Sequence, residues 1–225
     1  MEMCCNPIRD TSKFATVAKK RCYEEKGHKG KCEEFPYLKH LVKVSPQVAN
    51  KIKRDATKTT GASWSSEEAG PNRMDRWGML LSDAELLQYG VKMAALKPAV
   101  VNKLREKAAC YEDCMDVAAK LTWLVYQMQN APAPPVDIKT YLEARFGKVI
   151  KDSTKCLICR DHIDYGLFSL ARRGRAELET AHSNPRAHNA NNVGFAHREC
   201  NIAQGNKSLD EFYSWIAEIL GGVGK

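Results

Sequence analysis

Two short pairs of metal-ligating residues lie near the C-terminal end of the sequence, Cys156-Leu-Ile-Cys159 and His197-Arg-Glu-Cys200. A two-residue gap lets the thiolates of one tight knuckle grip a single ion, and two such pairs supply the four donors of a tetrahedral zinc site. The segment that carries them is too small for a good core of its own, so metal binding would supply folding energy that packing does not. The expectation is a structural Cys3His zinc site at Cys156, Cys159, His197 and Cys200. Disulfides are disfavoured, because the chain has nine cysteines, an odd number, and its first ten residues hold no apolar stretch of signal-peptide type. No run approaches the length that crosses a bilayer, so the reading is a cytoplasmic protein with no membrane partner.

Between the two pairs, residues 165–170 and 176–182 read as short strands joined by the cationic turn Arg172-Arg173-Gly174-Arg175. The second strand ends at His182, with Pro185 three positions on. A polar loop leads to Asn192, and His197, Cys200, Asn201 and Gly205 follow in order. A CxxC, a strand ending in histidine followed by xxP, then an asparagine, a second ligand pair, an asparagine and a glycine: this order resembles the HNH (ββα-metal) endonuclease family over about residues 156–215.

The resemblance implies that His182 is a general base, that Asn192 orients the loop of that histidine, and that Asn201 is a ligand of a catalytic metal. Elementary chemistry agrees with those roles. Hydrolysis of a phosphodiester needs a water deprotonated near neutral pH, and an imidazole with an ordinary pKa of ~6.5 suits that task. It also needs a hard cation, Mg2+ or Mn2+, where negative charge accumulates. One departure matters. Many family members place an Asp or His immediately before the base, where this chain has Ala181. Glu179 faces the same side of a strand as position 181 and is the first candidate for the missing ligand; His188 is the second. His197 in place of the commoner cysteine is an ordinary zinc ligand.

The elements that must position these residues are mostly helical. A helix over residues 10–26, capped by Asp10 or Thr11 and stopped by Gly27, precedes a second over residues 36–56 interrupted near Pro46. Residues 61–76 have turn-forming composition and read as a linker or a DNA-facing loop, with Trp64 its one residue to bury. Ser82 with Glu85 is a capping box for a short helix that ends at Gly90. Leu104, Tyr111, Ala118 and Val125 recur at heptad spacing and suggest one helix over residues 97–130, either a dimerisation helix or an internally packed one. Asp137 is expected to cap a helix over 138–146 that Gly147 stops. A capping box at Ser208 and Glu211 opens a last helix whose apolar face, Leu209, Phe212, Trp215, Ile216 and Ile219, should pack the C-terminal module onto the helical part.

The expected fold is α+β: a basic helical region over 1–60, the loop over 61–76, a helical scaffold over 77–150, and a zinc-bound ββα-metal nuclease module over 151–225. A formal charge of +8 suits a polyanionic partner. Arg172, Arg173, Arg175, Arg186 and Arg198 flank the expected site and are candidates for phosphate contacts. Size, one catalytic module and basic N-terminal helices are similar to type II restriction endonucleases of the HNH class. That resemblance implies a site-specific enzyme on double-stranded DNA, working as a homodimer because two-fold symmetry cuts both strands of a palindrome. A phage or homing nickase of the same family is one alternative, and a non-catalytic zinc-stabilised DNA-binding module another. Cys4, Cys5, Cys22, His28 and Cys32 match no tight zinc spacing, and the sequence leaves a second site unassigned.

Overall fold

The computed structural model describes residues 4, 14–18, 20–23, 26, 27, 29, 32–59, 74–172 and 175–223, without the side chains of 15, 16, 171, 172 and 175. The expected cap at Asp10 or Thr11, Trp64 and most of the loop over 61–76 fall outside that set. In chain order the helices are α1 (Ala15–Ala18), α2 (Lys39–Val44), α3 (Pro46–Thr57), α4 (Asp83–Gln88), α5 (Pro98–Glu106), α6 (Tyr111–Val125), α7 (Val136–Phe146), α8 (Arg198–Gln204) and α9 (Leu209–Val223). The strands are β1 (Ala171–Arg172), β2 (Arg175–Ala176), β3 (Leu178–His182) and β4 (Val193–His197), forming two separate antiparallel hairpins, β1 with β2 and β3 with β4. Among the described residues no helix is long and apolar enough to cross a membrane.

Helix α6 is the centre of the molecule. Val117, Ala118, Leu121, Thr122 and Val125 are all fully buried, so it has core on more than one side. It packs against α3, α7 and strand β4. α3 meets it with Val48, Ala49, Ile52 and Ala56, a one-sided stripe at helical spacing. β4 meets it with Val193, Gly194, Phe195 and Ala196, buried without alternation, as expected for a strand covered on both faces. One hydrophobic cluster therefore runs from Tyr37 through α3 and α6 to Leu209 and Phe212, and the β3–β4 hairpin shares it with the helices. A second cluster, around Phe14, Trp77, Met79, Leu86, Leu104 and Met115, holds the other end of α6.

Several local expectations match. Pro46 occupies the first turn of α3, and Ser45 separates it from α2, which is the interruption expected there. Ser82 and Glu85 make both bonds of the capping box, and Gly90 follows at φ 69°. Ser208 and Glu211 make the second box: the Ser208 N–H donates to Glu211 Oε2 at 2.7 Å and the Glu211 N–H to Ser208 Oγ at 3.2 Å.

Five expectations need correction. The helix over 97–130 is two helices, because Cys110 takes an extended conformation and its Sγ accepts the Asp113 N–H at 3.4 Å, a sulfur N-cap that restarts the chain as α6. Leu104, Tyr111, Ala118 and Val125 are all buried inside the subunit, so the stripe is core. Residues 165–168 form a 3-10 turn, with the Asp164 carboxylate accepting the Gly166 N–H at 2.6 Å; the partner of β3 is β4. The residue flanking α7 is Pro135, with Asp137 inside the first turn. α1 ends at Ala18, and the chain then pairs the Tyr23 N–H with the Glu33 carbonyl at 2.8 Å. Finally, α9 buries Leu209 and Phe212 and packs a half-buried Ile216 on the main cluster, while Trp215, Ile219, Leu220 and Val223 are exposed.

Candidate active site and metal centre

The knuckle that carries Cys156 and Cys159 is fixed by backbone bonds. The Cys156 N–H donates to the Asp161 carbonyl at 2.7 Å, the Arg160 N–H returns to the Cys156 carbonyl at 3.1 Å, and Arg160 sits at φ 69° to close the turn. The Leu157 N–H donates to the Phe195 carbonyl at 2.8 Å, which ties the knuckle to β4. The other pair straddles the junction of β4 and α8: His197 ends the strand and Cys200 lies in the first turn of the helix. The donor atoms of Cys156, Cys159, His197 and Cys200 all lie within 4.8 Å of one another. Burial pushes the Cys156 thiol up, but the N–H groups of Cys159, Ile158 and His197 outweigh burial and leave it below its ordinary value. Cys159 and Cys200 are raised, by burial first and by the neighbouring sulfur next. Three sulfurs crowded in this way are a donor set that a soft-accepting dication relieves, and the set fits zinc.

His182 occupies the other end of the hairpin, paired with Val193. Its ring is buried, but among polar groups. With Lys51, Arg54, Asp55, Arg76, Glu179 and Thr180 it lines a cavity of about 250 Å3. His182 Nε2 is 2.9 Å from His188 Nδ1, and His188 Nε2 is 2.8 Å from the Ala56 carbonyl oxygen. Burial, then the cations Lys107 and Arg76, lower His182 to about 3; burial, then Arg76 and His182, lower His188 to about 2. Both rings are therefore neutral near pH 7, with His182 a weaker base than the ordinary imidazole expected from the sequence, and the hydrogen-bond chain fixes their tautomers. A carbonyl only accepts, so His188 Nε2–H donates to Ala56. The remaining His188 nitrogen accepts, so His182 Nε2–H donates to it. The basic lone pair of His182 is consequently on Nδ1.

The loop after His182 is held by Asn192. Its Nδ2 donates to the carbonyls of Asn184 at 2.8 Å and Ala187 at 2.7 Å, and its Oδ1 accepts the Asn184 N–H at 2.7 Å. Gln204, near the end of α8, donates to the His182 carbonyl at 2.9 Å, so the helix carrying Cys200 and Asn201 is tied to the residue at the hairpin's far end. Asn201 Nδ2 donates to Glu179 Oε2 at 2.7 Å. That contact sets a carboxylate beside a carboxamide, two side chains whose oxygens are of the kind a hard divalent cation takes, although here the amide nitrogen faces Glu179.

In this arrangement Ala181 is buried in the main cluster and offers no donor. Arg198 Nε lies 3.5 Å from Glu179 Oε1, and Arg186 lies 3.6 Å from Glu211 at the surface. The side chains of Arg172 and Arg175, and the whole of Arg173, fall outside the described residues. Glu179 and His182 share one cavity; Arg186 is on another part of the module, beside α9.

The chain matches the DraIII family over residues 34–200. The chain belongs to the DraIII family. That family is one of restriction enzymes. A solved structure described as a type II restriction endonuclease is similar to it at 45% identity and a TM-score of 0.86, covering 100% of this chain and 99% of that one. No curated protein matches.

This DraIII-family chain also carries site residues that its sequence does not single out. Asp55 receives Lys51 at 2.9 Å, Arg54 at 2.7 Å and the Thr180 hydroxyl at 3.1 Å. Burial would raise it, but Lys51 and Arg54 prevail and hold its carboxyl below the ordinary range. Arg76 is buried, donating to the carbonyls of Asp55 at 2.9 Å and Lys107 at 3.0 Å, while its Nε has no hydrogen-bond partner among the described residues. The cavity wall thus carries three cations, Lys51, Arg54 and Arg76, against two carboxylates. The only sequence signal was the Lys51–Asp55 spacing of a helical ion pair.

Proposed function

We propose that this protein is a site-specific, metal-dependent endonuclease of the HNH (ββα-metal) type, a type II restriction endonuclease acting on double-stranded DNA as a homodimer. The observation that carries the reading is the β3–β4–α8 unit. A four-donor cluster sits at one end, a neutral histidine with its lone pair on Nδ1 sits at the other, and a Glu179–Asn201 pair bridges strand and helix.

In this reading His182 Nδ1 takes a proton from the water that attacks phosphorus, as the bond to the leaving oxygen breaks. His188 holds the ring in the required tautomer and orientation, and Asn192 holds the loop that carries His188. Lys51, Arg54 and Arg76 receive phosphate oxygens, with Arg172, Arg173, Arg175, Arg186 and Arg198 as further candidates along the backbone of the duplex. Asn201 and Glu179 would hold Mg2+ or Mn2+, which supplies charge stabilisation at the scissile phosphate. Cys156, Cys159, His197 and Cys200 would hold zinc, whose part is structural.

Digestion of a supercoiled plasmid with Mg2+ or Mn2+, against EDTA, tests the proposal. Discrete linear fragments are expected. Nicked circles alone would favour a nickase of the same type, and the absence of metal-dependent cleavage would favour a DNA-binding module without catalysis, the reading that Ala181 supports. Light scattering of the purified protein, with and without DNA, reads the dimer.

A further inference from the structure

The N-terminal segment contains a second convergence of sulfur. Cys4, Cys22 and Cys32 are far apart in sequence, yet their Sγ atoms all lie within 4.8 Å of one another. None of the three is in a disulfide. The fold brings them together by a turn: Gly27 takes φ 83°, a left-handed conformation that favours glycine, and the Tyr23 N–H reaches the Glu33 carbonyl at 2.8 Å. That bond sets Cys22 beside Cys32, and Cys4 arrives from outside the turn. Cys22 is buried, while Cys4 and Cys32 are half-buried, so the trio lies at the edge of the packed interior.

We propose that Cys4, Cys22 and Cys32 bind a zinc ion, a second metal site separate from the one at residues 156–200. Tetrahedral zinc with bonds of about 2.3 Å holds its sulfurs about 3.8 Å apart, so sulfurs no more than 4.8 Å apart need to close by at most about 1 Å. The segment has reason to need a staple. Among its described residues only Phe14, Ala18, Cys22 and Tyr23 are buried apolar, too few to order this much chain by packing alone. What the staple secures is also visible. The Phe14 ring lies against Gly78 so closely that a Cβ there would stand 2.6 Å from the ring, and Arg21 reaches Glu112 on α6 at 2.8 Å. Zinc binding would hold this segment on the cluster that surrounds Trp77 and Met115. Three thiolates leave one position of the tetrahedron to water or another donor.

The test is zinc content per chain, by elemental analysis of the full-length protein purified without added chelator. Two zinc ions are expected in the unaltered protein and one in Cys22→Ser and in Cys32→Ser. If the donors at residues 156–200 hold no zinc, the unaltered protein carries one ion and those variants none, so the two sites are told apart. A zinc content that Cys22→Ser leaves unchanged overturns the proposal. Should the variants fail to fold, the unaltered protein gives the answer by alkylation mapped to each cysteine. Cys4, Cys22 and Cys32 are expected to resist alkylation until zinc is removed. Labelling at the same rate before and after removal, or a disulfide among the three, overturns the proposal.

Discussion

At the His197 end of the β3–β4 hairpin three of the four donor residues stand near solvent, Cys159 exposed and His197 and Cys200 half-buried, while Cys156 is buried. At the His182 end, two imidazoles are buried under α3 and reach the backbone of Ala56. The same two strands are therefore fixed by unlike means. The His197 edge joins the main apolar cluster through Leu178, Phe195 and Ala196 and adds four donors placed where an ion could gather them. The other edge borrows rigidity from the helical body, through Asp55, Ala56 and Arg76. On the proposed reading, an ion would secure the hairpin at one end and the other, buried end would present the base.

Perturbing each end should give different losses. The largest belongs to the zinc end. Cys200→Ser, or chelation strong enough to strip zinc, should remove of the order of 10 kcal/mol of binding-linked folding free energy. Thermal denaturation should then show the module unfolded, and Mg2+ should not restore it. An unchanged melting temperature after verified removal of zinc would break the comparison at its first term.

Acid should act next, and at the other end. The unfolded state protonates histidine near pH 6.5, whereas the folded state resists it until about 3 at His182 and about 2 at His188. Between those limits the unfolded chain binds more protons, so stability is fully present above pH 6.5 and falls as pH drops. A loss on the order of a few kcal/mol by pH 4 is expected. Urea titrations of the unaltered protein and of His188→Gln, at several pH values, should show a shallower acid dependence in the variant.

A smaller effect separates positioning from packing. His188→Ala should lower kcat about 10–100-fold with little change in DNA affinity, as expected when the group that fixes a functional histidine is lost. Glutamine can donate to the Ala56 carbonyl and accept from His182, so His188→Gln should recover part of the rate. Equal loss in both variants would mean that His188 serves packing alone.

The sequence disclosed the parts of this site that are local and missed those that are tertiary. The two ligand pairs, the capping boxes at Ser82 and Ser208 and the break at Pro46 are each written in a few adjacent residues, and all are found in place. The heptad through Leu104 and Val125 misled because periodicity reports which face is buried and not whether the backbone is continuous; the break depends on a cysteine acting as an N-cap, a weak signal in sequence. The role of α9 was overstated for a related reason. An apolar stripe says what a helix can bury, while the structure buries only Leu209 and Phe212. Arg76 and Asp55 escape sequence reasoning because only tertiary packing brings them to the His182 cavity, Asp55 from α3 and Arg76 from the turn over 76–80. Glu179 and Asn201, paired by the structure at 2.7 Å, were named separately, and nothing in sequence measured their distance.

The most direct test of the central claim, that the buried end of the hairpin presents a base, is single-turnover cleavage of plasmid DNA by His182→Ala against the unaltered enzyme, with DNA binding measured in parallel. A rate lower by about 10²–10⁴-fold, with affinity for DNA retained, is expected. Cleavage by His182→Ala at the unaltered rate would contradict it.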